Sequence, residues 1–127
     1  MRLLLDTHAL IWHYEARPQM SPAAIAAIND ERNSLVISAA TAWEMVIKVK
    51  LEKLVLGAAV SEVLAWYRDT GAEFLPITEQ HALAVGTLPE AHRDPFDRVL
   101  AAQAIAEKLV LVTRDPAFEP YPVQRLW

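Results

Sequence analysis

Short continuous apolar runs alternate along this chain with stretches in which apolar residues recur every three or four positions. Leu3-Leu4-Leu5, Leu35-Val36-Ile37, Phe74-Leu75-Pro76-Ile77 and Leu109-Val110-Leu111-Val112 are runs of the first kind. Such runs suit strands buried on both faces. Pro76 marks its strand as an edge or a strand end, and residues 123–126 read as a last edge strand. The helical stretches lie between. Ala9, Leu10, Trp12 and His13 precede a break at Arg17-Pro18. Ser21-Pro22 opens the next helix with a cap and a proline at the first position, and Ala24, Ile25 and Ile28 share its face. Ser38 caps a third helix running to about Lys50, on which Trp43, Val46, Ile47 and Val49 are the expected apolar face. Residues 58–69 follow, with Val60, Val63, Leu64 and Tyr67 inward and Gly71 as terminator. Thr78 caps a helix over residues 81–87. Asp94-Pro95 caps the apolar run from Val99 to Ala106. Trp12, Trp43 and Trp66 all fall on apolar helix faces and are expected in the core, the alternative being that one or two of them line an exposed groove for a partner. The alternation predicts an α/β fold: a mostly parallel central sheet of four to five short strands, covered by helices on both faces.

The bulk properties narrow the function classes. A chain of 127 residues with 54% hydrophobic content suits one compact domain over 1–127. There is no cysteine, which removes thiolate chemistry and disulfides and fits a cytoplasmic protein. The opening apolar run is cut by Asp6 and His8, too early for a signal peptide. No stretch approaches the roughly 20 apolar residues of a membrane span. The net charge of −4 argues against passive tracking of phosphates. It leaves room for an acidic enzyme that meets phosphate through divalent cations. The histidines show no metal-ligand spacing, and neither a glycine-rich phosphate loop nor a nucleophile elbow is present.

The acids carry the remaining signal. In parallel sheets the binding crevice lies beyond the carboxyl ends of the strands. Asp6 directly follows the first strand, and Asp115 follows the strand ending at Val112. Glu44 lies in the second turn of the helix that leaves Ile37. Asp94 and Asp97 begin a helix that leads back to a strand. Each acid also has a local explanation. Asp6, Asp94 and Asp115 are helix or turn caps, Glu44 pairs with Lys48 four residues on, and Asp97 pairs with Arg98. Local roles do not explain why every acid falls at one edge. Grouped carboxylates would repel one another. Divalent cations relieve this, and all-oxygen ligands favour Mg²⁺ or Mn²⁺. Such a cluster suits phosphodiester hydrolysis. Lys48, Lys50, Arg93, Arg98 and Arg114 are the basic residues best placed to meet phosphate, and a solvated face explains them as well.

Four stretches in order resemble the PIN-domain proteins. They are Leu4-Leu5-Asp6-Thr7-His8-Ala9-Leu10-Ile11-Trp12, Ser38-Ala39-Ala40-Thr41-Ala42-Trp43-Glu44, Asp94-Pro95-Phe96-Asp97-Arg98 and Leu111-Val112-Thr113-Arg114-Asp115. The chain is most similar to the VapC toxins of toxin–antitoxin pairs, in the branch with the Asp-Pro-Phe-Asp-Arg motif. The resemblance implies a Mg²⁺- or Mn²⁺-dependent endoribonuclease toxin. Its acids fall on Asp6, Glu44, Asp97 and Asp115, which are then both catalytic and metal-binding, with Asp94 as a cap or an outer metal ligand. It makes Thr7 and Thr113 supporting hydroxyls. It implies homodimers and a cognate VapB-like antitoxin lying across the site, with Lys48, Arg93, Arg98 and Arg114 as contacts for RNA or antitoxin. Two other readings compete: a catalytically silent module that binds RNA or a partner, and a carboxylate–metal phosphatase for small substrates.

Overall fold

The computed structural model describes residues 1–90 and 94–127. Strands β1 (Arg2–Leu5), β2 (Ser34–Ser38), β3 (Glu73–Leu75), β4 (Val110–Val112) and β5 (Gln124–Leu126) form one sheet in the order β3-β2-β1-β4-β5. Every pairing is parallel, and Leu4 of the central strand faces Val36 on one side and Leu111 on the other. Both edges are the short strands expected there. The helices are α1 (Thr7–Tyr14), α2 (Pro22–Asn29), α3 (Ala39–Lys50), α4 (Val60–Asp69), α5 (Glu79–Val85) and α6 (Pro95–Ala106), with a single 3-10 turn (Pro116–Phe118).

Successive strand residues point to opposite faces, so β1 feeds two cores. Leu3 and Leu5 pack with Leu10, Ile28, Met45, Val63 and Tyr67, from α1 to α4. Leu4 packs on the other face with Leu100, Leu111, Phe118 and Tyr121. Burial on both faces is why these strands read as unbroken apolar runs. The helix starts are local. Ser21 accepts from Ala24 N–H, Ser38 from Ala40 N–H, and Thr78 from His81 N–H. Observed ends differ from the expected ones by two residues: α4 begins at Val60 rather than 58, and α5 spans Glu79–Val85 rather than 81–87.

Two expectations are corrected. Helix α3 buries Ala40, Thr41, Glu44 and Met45, whereas Trp43, Val46 and Val49 are exposed. Trp43 is 56% and Trp66 44% exposed, so neither is a core residue, and Trp12 is half-buried. The reason is geometric. Ser38 is both the last residue of β2 and the cap of α3, so the strand's exit sets the helix's rotation. Small Ala40 and Thr41 then lie against the body of the protein.

Beneath α1, the Tyr67 hydroxyl donates to Leu10 C=O at 2.9 Å and lies 2.8 Å from His13 Nδ1. With its proton spent on Leu10, the hydroxyl accepts from His13 Nδ1–H. Burial lowers the pKa of His13. The unfolded chain therefore takes up this proton at higher pH than the folded one. The stability His13 contributes is present above its ordinary value near ~6.5 and is lost as pH falls through the lower folded value. In His13→Asn, the drop in Tm between about pH 7 and pH 5 is expected to be smaller than in the wild type. An identical drop in thermal melts at both pH values would refute this.

Candidate active site

Asp6 stands where β1 becomes α1. Its Oδ1 accepts from Ala9 N–H at 2.7 Å, capping α1, and its Oδ2 accepts from Thr113 Oγ1–H at 2.5 Å. The carboxyl is buried, and burial raises its pKa. The Thr113 and Ala9 hydrogen bonds and His8 work the other way, and nearby Asp115 adds to the rise. Thr113 Oγ1 in turn accepts from Asp115 N–H at 3.0 Å, so one hydroxyl links the first and last acids of the sequence motif. Asp115 Oδ1 accepts from Ala117 N–H at 2.9 Å and starts the 3-10 turn.

Glu44 reaches the same edge from α3 and is only 3% exposed. It accepts from the Thr7 hydroxyl, next in sequence to Asp6, and forms an ion pair with Lys48. Burial pulls the Lys48 pKa down, but the hydrogen bond and charge of Glu44, with the charges of Asp94 and Asp97, raise it overall. Helix α6 precedes β4 and runs against the strand direction, so its amino end arrives at the carboxyl edge of the sheet. Asp94 Oδ1 caps it, accepting from Phe96 N–H at 2.9 Å and Asp97 N–H at 3.3 Å. The Trp43 and Phe96 rings meet edge to face at 5.0 Å, fastening α3 to the start of α6.

The five acids thus lie at one end of the sheet in two sets. Asp6 and Asp115 share Thr113. Glu44 is paired with the Lys48 ammonium, and the charges of Asp94 and Asp97 act on it. The local roles of Asp6, Asp94, Asp115 and Glu44 are real and coexist with this convergence. Among the described residues, no three Asp, Glu or His side chains form a ready metal cage. The donor chemistry nevertheless fits a hard divalent cation. The donors are all carboxylate oxygens, and a positive charge, that of Lys48, is already paired with one of them, Glu44.

The basic residues divide. Lys48 serves Glu44. The Arg98 guanidinium donates to Pro89 C=O at 2.8 Å and Val85 C=O at 3.0 Å, binding the end of α5 to α6. Arg114 lies over the Trp12 ring, 4.5 Å from its centroid. Lys50 is exposed at the end of α3. Arg93 lies outside the described residues. A hollow of about 220 Å³ beside Asp6 and Asp115 is lined also by His8, Trp12, Arg114 and Pro116. A larger one of about 420 Å³, at the amino edge of the sheet near His13 and Trp66, contains none of these acids.

Behind the site runs a buried polar chain that sequence reading overlooked. Ser38 Oγ–H donates to Gln103 Oε1 at 2.6 Å, and Gln103 Nε2 donates to Pro76 C=O at 3.3 Å. His81 is 1% exposed; its Nδ1 accepts from Thr78 N–H at 3.1 Å, so Nε2–H donates to Glu107 Oε1 at 2.9 Å. The one available signal was Gln103, a polar residue inside an apolar helical run, which needs partners once buried.

The family model for the PIN domain matches residues 3–123. No curated protein matches the sequence. Among solved structures, VapBC2 from Rickettsia felis bound to a DNA fragment from its promoter is similar, with TM-score 0.71 and 19% identity over 99% of this chain and 98% of the other. DNA-bound VapBC from Salmonella typhimurium gives TM-score 0.70 and 23% identity over 100% and 97%. FitAcB from Neisseria gonorrhoeae gives 0.67 and 23% over 98% and 96%. At these identities the likeness speaks to the fold.

Proposed function

Since this chain belongs to the PIN-domain family, we propose that it is a divalent-metal-dependent endoribonuclease, the toxin of a VapBC-type pair. The observation that carries the proposal is the meeting of Asp6, Glu44, Asp94, Asp97 and Asp115 at the carboxyl end of a parallel sheet. Sequence-distant carboxylates at one end of the sheet repel one another, a divalent cation would relieve this, and the donor set suits Mg²⁺ or Mn²⁺. Asp6, Glu44, Asp97 and Asp115 are the proposed metal-binding acids, with Asp94 holding the amino end of α6 in place beside them. A bound ion would supply a more acidic water and charge at the leaving oxygen.

The protein's own groups supply the rest. Thr113 and Thr7 hold the Asp6 and Glu44 carboxylates by hydrogen bonds, which limits their rotation. In the hydrolysis, a water oxygen bonds to phosphorus, the phosphorus bond to one ester oxygen breaks, and a proton ends on that oxygen. The products are a phosphate monoester and a hydroxyl. The partner is a VapB-like antitoxin, and the protein forms homodimers. The exposed apolar positions Trp43, Val46 and Val49 on one side of α3 support docking by another chain. Among the described residues, no helix is long and apolar enough to cross a membrane.

A silent binding module is the second reading. It draws on the Lys48 ion pair, which already neutralises Glu44 without metal. Incubating purified, antitoxin-free protein with total cellular RNA separates the two. Discrete fragments with Mn²⁺ or Mg²⁺, absent with EDTA, are expected. Intact RNA under all conditions would favour the silent module.

A further inference from the structure

We propose that the hollow beside the stacked Trp12 and Arg114 is a subsite for one unpaired nucleobase, carried on the ribose next to the scissile phosphate. This rests on the ribonuclease reading above and adds the form of RNA the site accepts. The hollow opens directly beside Asp6 and Asp115 and measures about 220 Å³. That is below the range of roughly 300–1,000 Å³ for drug-sized ligands and suits a single planar ring system.

Besides Asp6, Asp115 and Pro116, its walls carry three planar groups that can stack: the His8 and Trp12 rings and the Arg114 guanidinium. Trp12 lies one turn beyond His8 on α1, and their rings are 5.4 Å apart and tilted by 36°. The Trp127 ring, which does not line the hollow, meets Trp12 at 6.0 Å with an interplanar angle of 67°, an edge contact that steadies the indole. The Arg114 guanidinium lies over the indole with its carbon 4.5 Å from the ring centroid. His8 and Arg114 are exposed, so this stack is open to solvent at its mouth. Unpaired bases stack on aromatic rings and on guanidinium planes with little dependence on base identity. A base inside a duplex has both faces covered by its neighbours. The geometry therefore selects single-stranded or looped RNA.

Charge points the same way. The chain carries 16 acidic and 12 basic residues, and of the basic ones near the site Lys48 is bound to Glu44. Contacts to phosphate are a poor source of affinity here, and stacking is the contact this surface offers. RNA binding should accordingly depend weakly on salt, unlike that of phosphate-tracking proteins.

The test measures binding without turnover. Single-stranded RNA carrying 2-aminopurine at successive positions is titrated into Asp97→Asn protein with Mn²⁺ present. Stacking is expected to quench the fluorophore at one position. An abasic residue at that position should weaken binding about 10-fold or more. Arg114→Ala should remove most of that difference, and Arg114→Lys should not restore it, because lysine keeps the charge but not the plane. Trp12→Leu should abolish the quench; because Trp12 also packs on the core, the exposed Arg114 variants decide the matter if Trp12→Leu does not fold. Equal binding of abasic and intact RNA, full rescue by lysine, or no binding of RNA at all would overturn the proposal. Cleavage by wild-type protein that ignores the abasic position overturns the subsite alone. Base-dependent binding with no cleavage by the wild type overturns the ribonuclease and leaves the subsite standing.

Discussion

Asp97→Asn is expected to lower RNA cleavage by more than about 100-fold in kcat/KM, beyond the 10–100-fold typical of groups that only support a metal ligand. The fold should survive. Asparagine keeps the size and shape of the side chain, and Asp97 N–H still reaches Asp94 Oδ1. What is lost is one negative charge facing Lys48 across the junction of α3 and α6. Asp94→Asn is the informative companion. Asparagine caps helices as well as aspartate does, so this variant removes charge while leaving the hydrogen bonds to Phe96 and Asp97 N–H available. If Asp94→Asn is the more damaging of the two, Asp94 is the principal third acid. If metal-dependent cleavage persists in both, the proposed chemistry is wrong. Initial rates on a defined RNA fragment, with circular dichroism to confirm folding, decide between these outcomes.

Lys48→Met is expected to destabilise the metal-free protein by about 1–3 kcal/mol and to increase its stabilisation by Mn²⁺. Removing one partner of a fully buried ion pair costs roughly 3–5 kcal/mol; the lower figure applies because Lys48 is partly exposed, with 31% of its side-chain surface open. Glu44 is left buried with only the Thr7 hydroxyl among the hydrogen bonds described for it, and the charges of Asp94 and Asp97 lose the favourable influence of the ammonium. A divalent ion that supplies the missing charge binds the folded state selectively, and at 100 times its Kd it stabilises by about 2.7 kcal/mol. The rise in Tm with millimolar Mn²⁺ should therefore be larger in Lys48→Met than in the wild type. An equal or smaller rise would show that Lys48 and the cation do not compete for the same carboxylates.

Much of this was readable before any coordinates. The unbroken runs Leu3-Leu4-Leu5 and Leu109-Val110-Leu111-Val112 announced strands covered on both faces, because an exposed face would have required alternation. The caps Ser21, Ser38, Thr78 and Asp94 stood where the helices begin, because capping depends only on residues within a few positions. The order of acids along the strands implied their common edge. Periodicity misled at α3. Its apolar residues Trp43, Val46 and Val49 face outward, while Glu44 and Thr41 are buried. A hydrophobic stripe in the sequence does not by itself say which way the helix turns it.

By itself, then, the sequence determined what depends on short-range chemistry: the strands, the helix starts and the parallel α/β class. Only the tertiary structure decided the rotation of α3 about its axis and the bringing of Asp94 and Asp97 within electrostatic reach of Lys48. It also decided the Thr113 link between Asp6 and Asp115, and the stacking of Arg114 on Trp12. These are contacts between residues far apart in the chain. Their geometry is set by how strand exits and packed helices share a limited volume, a property that no local window of sequence contains.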